Sequence, residues 1–262
     1  MQLANNSIIL KETNKHATQP IALNPHIRRF FDYFSLESGF NYQQDPQKST
    51  DVYRLRHKVY CETLGYEPVN ATEQEQDEFD LRSDYISIVH DTSNETVGCT
   101  RIINCHENSD CLPVELLSCQ KLYEGALHPG NFPRQHICEI SRLTVDKAFH
   151  PIKDRNLTGI SLEQSTYPYI NLHLYLSSLK HAADSGRPHV YLLSEPKLVR
   201  SMRMVGLRIE PIGSYVAHKG LRQPCYIDAQ HFMDNLPVQF EQMLERIEQQ
   251  MPNIMTARAV NA

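Results

Sequence analysis

Residues 138–145 read CEISRLTV and residues 189–195 read HVYLLSE, two short runs in which apolar and polar side chains alternate. A period of two is the mark of a half-buried strand. Upstream, ISIVHD (86–91) and TVGCTRIINC (96–105) have the same character, and SNE between them is short and polar enough to turn an antiparallel hairpin. Helical patterns alternate with these runs. DVYRLRHKVYCETLG (51–65) has Thr50 as its expected N-cap and Gly65 as its terminator. INLHLYLSSLKHAADSG (170–186) closes at Gly186, and PKLVRSMRMVG (196–206) carries Pro196 in its first turn and Gly206 at its end. RIEPIGSYV (208–216) and QPCYID (223–228) follow as late strands. The order implies one mixed α/β domain with a mainly antiparallel sheet.

Outward from this centre the pattern weakens. Residues 1–24 read as an irregular arm. Ile27, Phe30, Phe31 and Phe34 fall at helical spacing and suggest a short amphipathic helix, with FNYQQD (40–45) as a short strand after it. That aromatic stripe reads as core and leaves contact with a membrane surface open. Residues 106–136 read as loop around one short helix at VELLSC. Phe240, Met243, Leu244, Ile247 and Met251 form a last amphipathic helix. The expected organisation is an arm at 1–24, a main domain at 25–235, and a C-terminal helix and tail at 236–262.

Composition excludes several classes. Seven cysteines, odd in number and never spaced CxxC, argue for reduced thiols rather than a disulfide framework or zinc site. The 13 histidines lack HExxH or HxH spacing, so no catalytic metal is expected. No apolar run reaches about 18 residues, so no transmembrane segment is expected. No basic region precedes the N-terminal apolar patch, and a cytoplasmic location is expected. A net charge of −5 speaks against nucleic acid. The charge is uneven: −8 over residues 1–141, +6 over 142–222 and −3 over 223–262. A basic third in an acidic chain suits an anionic partner or a phosphate-bearing ligand.

Polar residues fall where the pattern expects burial. Arg56 lies one helical turn before Tyr60, and Arg101 shares strand parity with Val97, Cys99 and Ile103. Glu139 shares parity with Ser141, Leu143 and Val145, whereas Arg142 falls with Ile140 on the other face. Isolated charges on buried faces cost several kcal/mol unless paired. With Asp77 and Asp80 nearby in the acidic run EQEQDEFD, these residues imply an internal ion-pair network, read either as a scaffold or as a polar pocket for a zwitterion.

RLRHKVYCETLGYEP (54–68), EQDEFDLRSDYISIV (75–89), VGCTRII (97–103) and CEISRLTV resemble the acyl-homoserine-lactone (autoinducer) synthases. The shared pattern places Arg56, Tyr60, Tyr66, Glu75 with Asp77 and Asp80, Arg101, and Glu139 with Arg142 in order. Those synthases usually carry Phe and Trp at the positions of Tyr60 and Tyr66. The C-terminal half, VYLLSEPKLVRSMRMVGLRIEPIGSYVAHKGLRQPCYID (190–228), is similar to the acyltransferases of the exosortase protein-sorting system, and through them to long-chain N-acyl amino acid synthases.

The resemblance implies a GNAT-like fold that holds an acyl-phosphopantetheine thioester where CEISRLTV and HVYLLSE splay apart, with no permanently bound cofactor. The nucleotide-gripping loop Q/R-x-x-G-x-G/A is not visible in VDKAFHPIKDRNLTG (145–159), which favours acyl carrier protein as donor. A small amino-acid-like molecule would be the acceptor. Glu139 is the general-base candidate, with a backbone N–H at a bulge in its strand holding the oxyanion. Arg56, Tyr60, Tyr66, Asp77, Asp80, Arg101, Ser141 and Arg142 would line the pocket. Lys153, Arg155, Arg200 and Arg203 are the candidates for docking the acidic carrier. A covalent route through Cys138 is disfavoured, because strand neighbours face opposite sides and no histidine is paired with the thiol. An autoinducer synthase using S-adenosylmethionine and a non-catalytic module of the same fold stay open as alternatives.

Overall fold

The computed structural model describes residues 29–150, 160–204 and 206–251. Eight strands form the sheet: β1 (Phe34–Phe40), β2 (Ser83–His90), β3 (Glu95–Asn104), β4 (Ile137–Val145), β5 (His189–Ser194), β6 (Glu210–Pro211), β7 (Val216–Ala217) and β8 (Leu221–Asp228). Their order is β1-β2-β3-β4-β5-β8-β6, with β7 paired to β8 outside this path. Every pairing is antiparallel except that of β4 with β5. The helices are α1 (Pro46–Arg56), α2 (Pro113–Ser118), α3 (Ile170–Asp184), α4 (Pro196–Met204), α5 (Ala229–Asp234) and α6 (Val238–Gln250).

Both faces of the sheet are covered. On one, Leu174, Leu176 and Leu179 of α3, Phe232 of α5, and Phe240, Met243 and Ile247 of α6 close the main core against Ile86, Ile102, Cys138 and Val190. On the other, α1 lays Val52, Tyr53 and Leu55 on Tyr85 and Cys99, and Val114 of α2 joins Ile103, Ile137, Tyr191 and Tyr226. Among the described residues no helix is long and apolar enough to cross a membrane.

Several local readings change. Phe30–Asp32 is a single 3-10 turn, and the chain enters β1 at Phe34, so among the described residues no α-helix carries the aromatic stripe, and Ile27 lies outside them. Phe30 stacks on His173 at 3.7 Å and is fully buried in the main core with Phe34, which gives these rings no membrane-facing role. The strand expected at 40–45 therefore lies one element earlier. Helix α1 begins at Pro46 rather than after Thr50. Asp45 caps it by accepting from the Lys48 N–H at 3.1 Å, and Pro46 sits where a helix has no use for its N–H. The helix then widens into a π-helical segment, His57–Thr63, before Gly65 turns away at φ +61°. No local sequence signal marks that widening; i→i+5 turns are nonetheless frequent at functional sites.

Candidate active site

The ladder between β4 and β5 is short. Its register runs Ile137↔His189, Cys138↔Val190, Glu139↔Tyr191 and stops, although β4 continues to Val145 and β5 to Ser194. Beyond Glu139 the strands part as expected from the resemblance, and a cavity of about 720 Å3 opens between them. Ile140 and Ser141 of β4 line one side and Leu192 and Leu193 of β5 the other.

The free edge of β4 is irregular. Cys99 pairs with Thr144 and Arg101 with Ser141, so β4 spends one residue more than β3, and Arg142 takes up φ +52°. A non-glycine residue there marks a bulge held by its surroundings. Three hydroxyls hold it. Thr100 donates to the Ser141 carbonyl at 3.3 Å, Thr144 to the Arg142 carbonyl at 2.9 Å, and Tyr60, from the π-helical segment, to the Leu143 carbonyl at 3.2 Å.

The bulge corrects the parity reading of Arg142. The extra residue swings its side chain off the Ile140 face and onto that of Arg101. Arg142 then donates to Glu75 at 2.9 Å and to Asp77 at 3.1 Å, with its guanidinium 5.4 Å over the Tyr60 ring. Arg56, fully buried, donates through Nε to Glu75 at 2.5 Å and through both terminal nitrogens to Asp80 at 2.7 and 3.0 Å. Arg101 reaches Asp77 at 2.5 Å, Asp80 at 3.0 Å and the Ser141 hydroxyl at 3.0 Å. Tyr85 adds a bond to Asp80 at 2.9 Å. Asp77 and Asp80 also cap the 3-10 segment Glu78–Arg82 reciprocally, which fixes the acidic loop against the sheet. Despite burial, Arg56 with Arg101 holds the Asp80 carboxyl, and Arg56 with Arg142 the Glu75 carboxyl, below their usual range.

Arg56, Arg101 and Arg142 thus face Glu75, Asp77 and Asp80 in one cage, and Arg142 also lies 3.5 Å from Glu67, which pairs with Lys219, so cations and anions balance. Glu139 stands outside the cage, against the expectation that it shares the ion pairs. It accepts from the Val114 N–H at 2.7 Å, and it is 2% exposed. Burial without a bonded cation pushes its carboxyl up to about 7. A buried acid poised near neutrality in a cavity wall suits proton transfer.

The other candidates fall into place around this centre. Tyr66 lines the cavity 6.5 Å from Tyr60. Cys138 is fully buried on the opposite face from Glu139, in the main core, where burial raises its thiol to about 12; that geometry removes it as a nucleophile. Cys225 is likewise a core residue. Arg200 is exposed on α4, and Arg203 donates to the Ile209 carbonyl at 2.6 Å; the cavity wall of α4 is instead Lys197, Leu198 and Ser201. Lys153 and Arg155 lie outside the described residues. Sequence reasoning missed Val114 as the partner of Glu139, because the contact spans 25 residues of loop and helix. It also missed Lys219, at φ +48°, which pairs with Glu67 across the cavity mouth. Among the described residues no group of three or more His, Cys, Asp or Glu side chains converges as metal ligands would.

The fold is of the GNAT kind: a mostly antiparallel sheet with two parallel central strands that part, here beside a buried acid without a bonded cation. Residues 55–154, which hold the whole cage and Glu139, match the family described as acetyltransferase (GNAT) domain. Among solved structures the chain is similar to the AHL synthase LasI, with 17% identity and a TM-score of 0.55 over 75% of this chain and 90% of that one. It is also similar to FeeM, an N-acyl amino acid synthase from uncultured soil microbes, with 13% identity and a TM-score of 0.54 over 79% of this chain and 96% of that one. A third is BjaI, a CoA-dependent acyl-homoserine lactone synthase solved with SAM and isopentyl-CoA, at 16% identity and a TM-score of 0.52 over 78% and 88%. At these identities the likeness concerns the fold. No curated protein matches the sequence.

Proposed function

We propose that this chain is an N-acyltransferase that moves a fatty acyl group from an acyl-carrier-protein thioester to the amino group of an amino acid. The observation that carries the reading is Glu139, held near pH 7 in the cavity wall where β4 and β5 part. The acceptor arrives as an ammonium and attacks only as an amine, so a group must take its proton at neutral pH. Glu139 does so, directly or through a water, and the nitrogen lone pair adds to the thioester carbonyl. The bulged backbone at Arg142 and Leu143 supplies N–H groups for the tetrahedral oxyanion, whose collapse breaks the C–S bond as the second proton of the nitrogen passes to the departing thiolate sulfur. Arg101, Arg142, Asp77, Tyr60, Tyr66 and Ser141 shape the acceptor's compartment, and Arg56 and Asp80 hold that wall from behind.

Residues 25–235 would form the catalytic domain, with α6 completing its core, and the protein would work in the cytoplasm where acyl carrier protein resides. Arg200 and Arg203, exposed on α4, would receive the carrier, joined by Lys153 and Arg155, which lie outside the described residues. The test is mass spectrometry of reactions containing long-chain acyl carrier protein and a mixture of amino acids, with S-adenosylmethionine in a parallel reaction. N-acyl amino acids support the proposal. An acyl lactone would make the chain an autoinducer synthase, and no product from either would leave the fold without the activity.

A further inference from the structure

Helix α2 is six residues long, too short to hold itself in water, yet the Val114 N–H in its first turn is the group that meets Glu139 at 2.7 Å. Two anchors seat it. Leu112 and Val114, both fully buried, pack with Ile103, Ile137 and Tyr191. Glu115 supplies the other. Its carboxylate reaches back to accept from the Leu112 N–H at 2.8 Å, which closes the first turn. It also accepts from both terminal nitrogens of Arg134, at 3.0 and 2.8 Å. A bidentate pair of this kind fixes direction as well as distance, and each of the two side chains is only 15% exposed. Arg134 opens the 3-10 turn Arg134–His136, and β4 follows at Ile137. The pair therefore ties α2 to the root of the strand that carries Glu139.

We infer that Arg134 and Glu115 are positioning residues for Glu139: their clamp seats the first turn of α2 so that the Val114 N–H is aimed at the carboxylate. The inference rests on the acyltransferase reading, which makes Glu139 the base, and adds to it the side chains that set that base from outside the charged cage. The charged and titratable groups around Glu139 are Arg101 of β3, Arg142 of its own strand, Glu115 of α2, and Tyr191, its partner in the β4–β5 ladder. Burial and the Glu115 charge oppose the ionised form, whereas the Val114 N–H and the two arginines favour it. Arg134 offsets the Glu115 charge where it arises. Losing Arg134 therefore acts twice in one direction: the N–H contact loosens, and an uncompensated anion is left beside the base.

The test follows the Glu139 carboxyl in the full-length protein by carbon NMR, its signal assigned by its absence from Glu139→Gln, and follows the Val114 amide by hydrogen exchange. Arg134→Gln should carry the titration of Glu139 upward from about 7 by about 0.5–1 in pH, and the inflection of kcat/KM should move with it. Exchange at Val114 should quicken by about tenfold, the worth of one hydrogen bond. Glu115→Gln also loosens the clamp but deletes the opposing charge, so its titration should lie below that of Arg134→Gln. Arg134→Lys keeps the charge with one point of contact in place of two, and should shift both readouts the same way by less. If either the titration or the exchange is unchanged in Arg134→Gln, or in Arg134→Lys should the glutamine variant not fold, the positioning role is overturned. Absence of acyl transfer by a wild type whose Glu139 titrates and shifts as described overturns the acyltransferase reading and leaves the positioning of Glu139 standing.

Discussion

Replacing Glu139 with glutamine keeps the shape and the acceptor oxygen for the Val114 N–H but removes the titration. Burial carries this carboxyl from 4.5 to about 7. Keeping it ionised in the folded protein therefore costs about 3 kcal/mol, at about 1.4 kcal/mol per unit. Between pH 4.5 and about 7 the folded state holds a proton that the unfolded state has released, so wild-type stability falls as pH rises through that window and then levels off. Glu139→Gln lacks this loss. At pH 4 the variant should match wild type in urea or fall below it by up to about 2 kcal/mol, the cost of unmet amide hydrogens, and at pH 8 it should be the more stable by about 1–3 kcal/mol. Turnover should move the other way, falling by about 10²-fold or more. Wild-type kcat/KM should rise with pH through about 7, and the variant should lose that inflection. Wild-type turnover in the variant, or a variant less stable than wild type at pH 8, would refute the assignment of Glu139 as a strained, unpaired base.

Arg101→Ala leaves Asp77 and Asp80 short of a cation in a buried cage and should cost about 3–5 kcal/mol, read from denaturant midpoints. An unchanged midpoint would mean that the cage is hydrated. Arg200→Glu combined with Arg203→Glu should raise KM for acyl carrier protein with little change in kcat, and added salt should weaken the wild-type reaction, since exposed charges are screened within about 10 Å at 0.1 M; equal use of acyl-CoA with no effect of the charge reversal would end the docking idea. Gly213→Ala would set a Cβ 2.7 Å from the Lys121 carbonyl oxygen and 3.0 Å from Pro224, and a loss of about 1–3 kcal/mol is expected in thermal melts.

Much of this architecture was legible because it rests on local periodicity. The β2–β3 hairpin, β4, β5 and helices α3 and α4 sit where alternation, helical spacing and terminal glycines place them. Arg101 is 1% exposed, as its parity with Cys99 and Ile103 requires. Val97, expected on that same face, packs in the main core instead, across the register shift at Ile88/Val89. The misses share a physical origin. Arg142 changes face because a bulge, a tertiary device held by Thr100, Thr144 and Tyr60, overrides strand parity. Phe34 carries a helical spacing by accident, because its neighbour Phe30 packs on α3 while it begins a strand. The exclusion of Glu139 from the ion pairs could not be read at all. It follows from distances: Glu75, Asp77 and Asp80 take up the guanidiniums of Arg56, Arg101 and Arg142, and the Glu139 carboxylate accepts from a backbone N–H instead.

The coupling of these charges constrains how such a site can change. Removing any one of the six leaves a partner short of its counter-charge, so a change at one is tolerated best when a partner changes with it. The apolar wall is under no such bond. Leu116 and Leu117 border the same cavity with no charged partner, and each can be enlarged or trimmed alone at the cost of packing, whereas Phe79 lies under the Arg101 guanidinium and is tied to it. The shape of the cavity should therefore change most readily through those two leucines, while the charged face stays as it is.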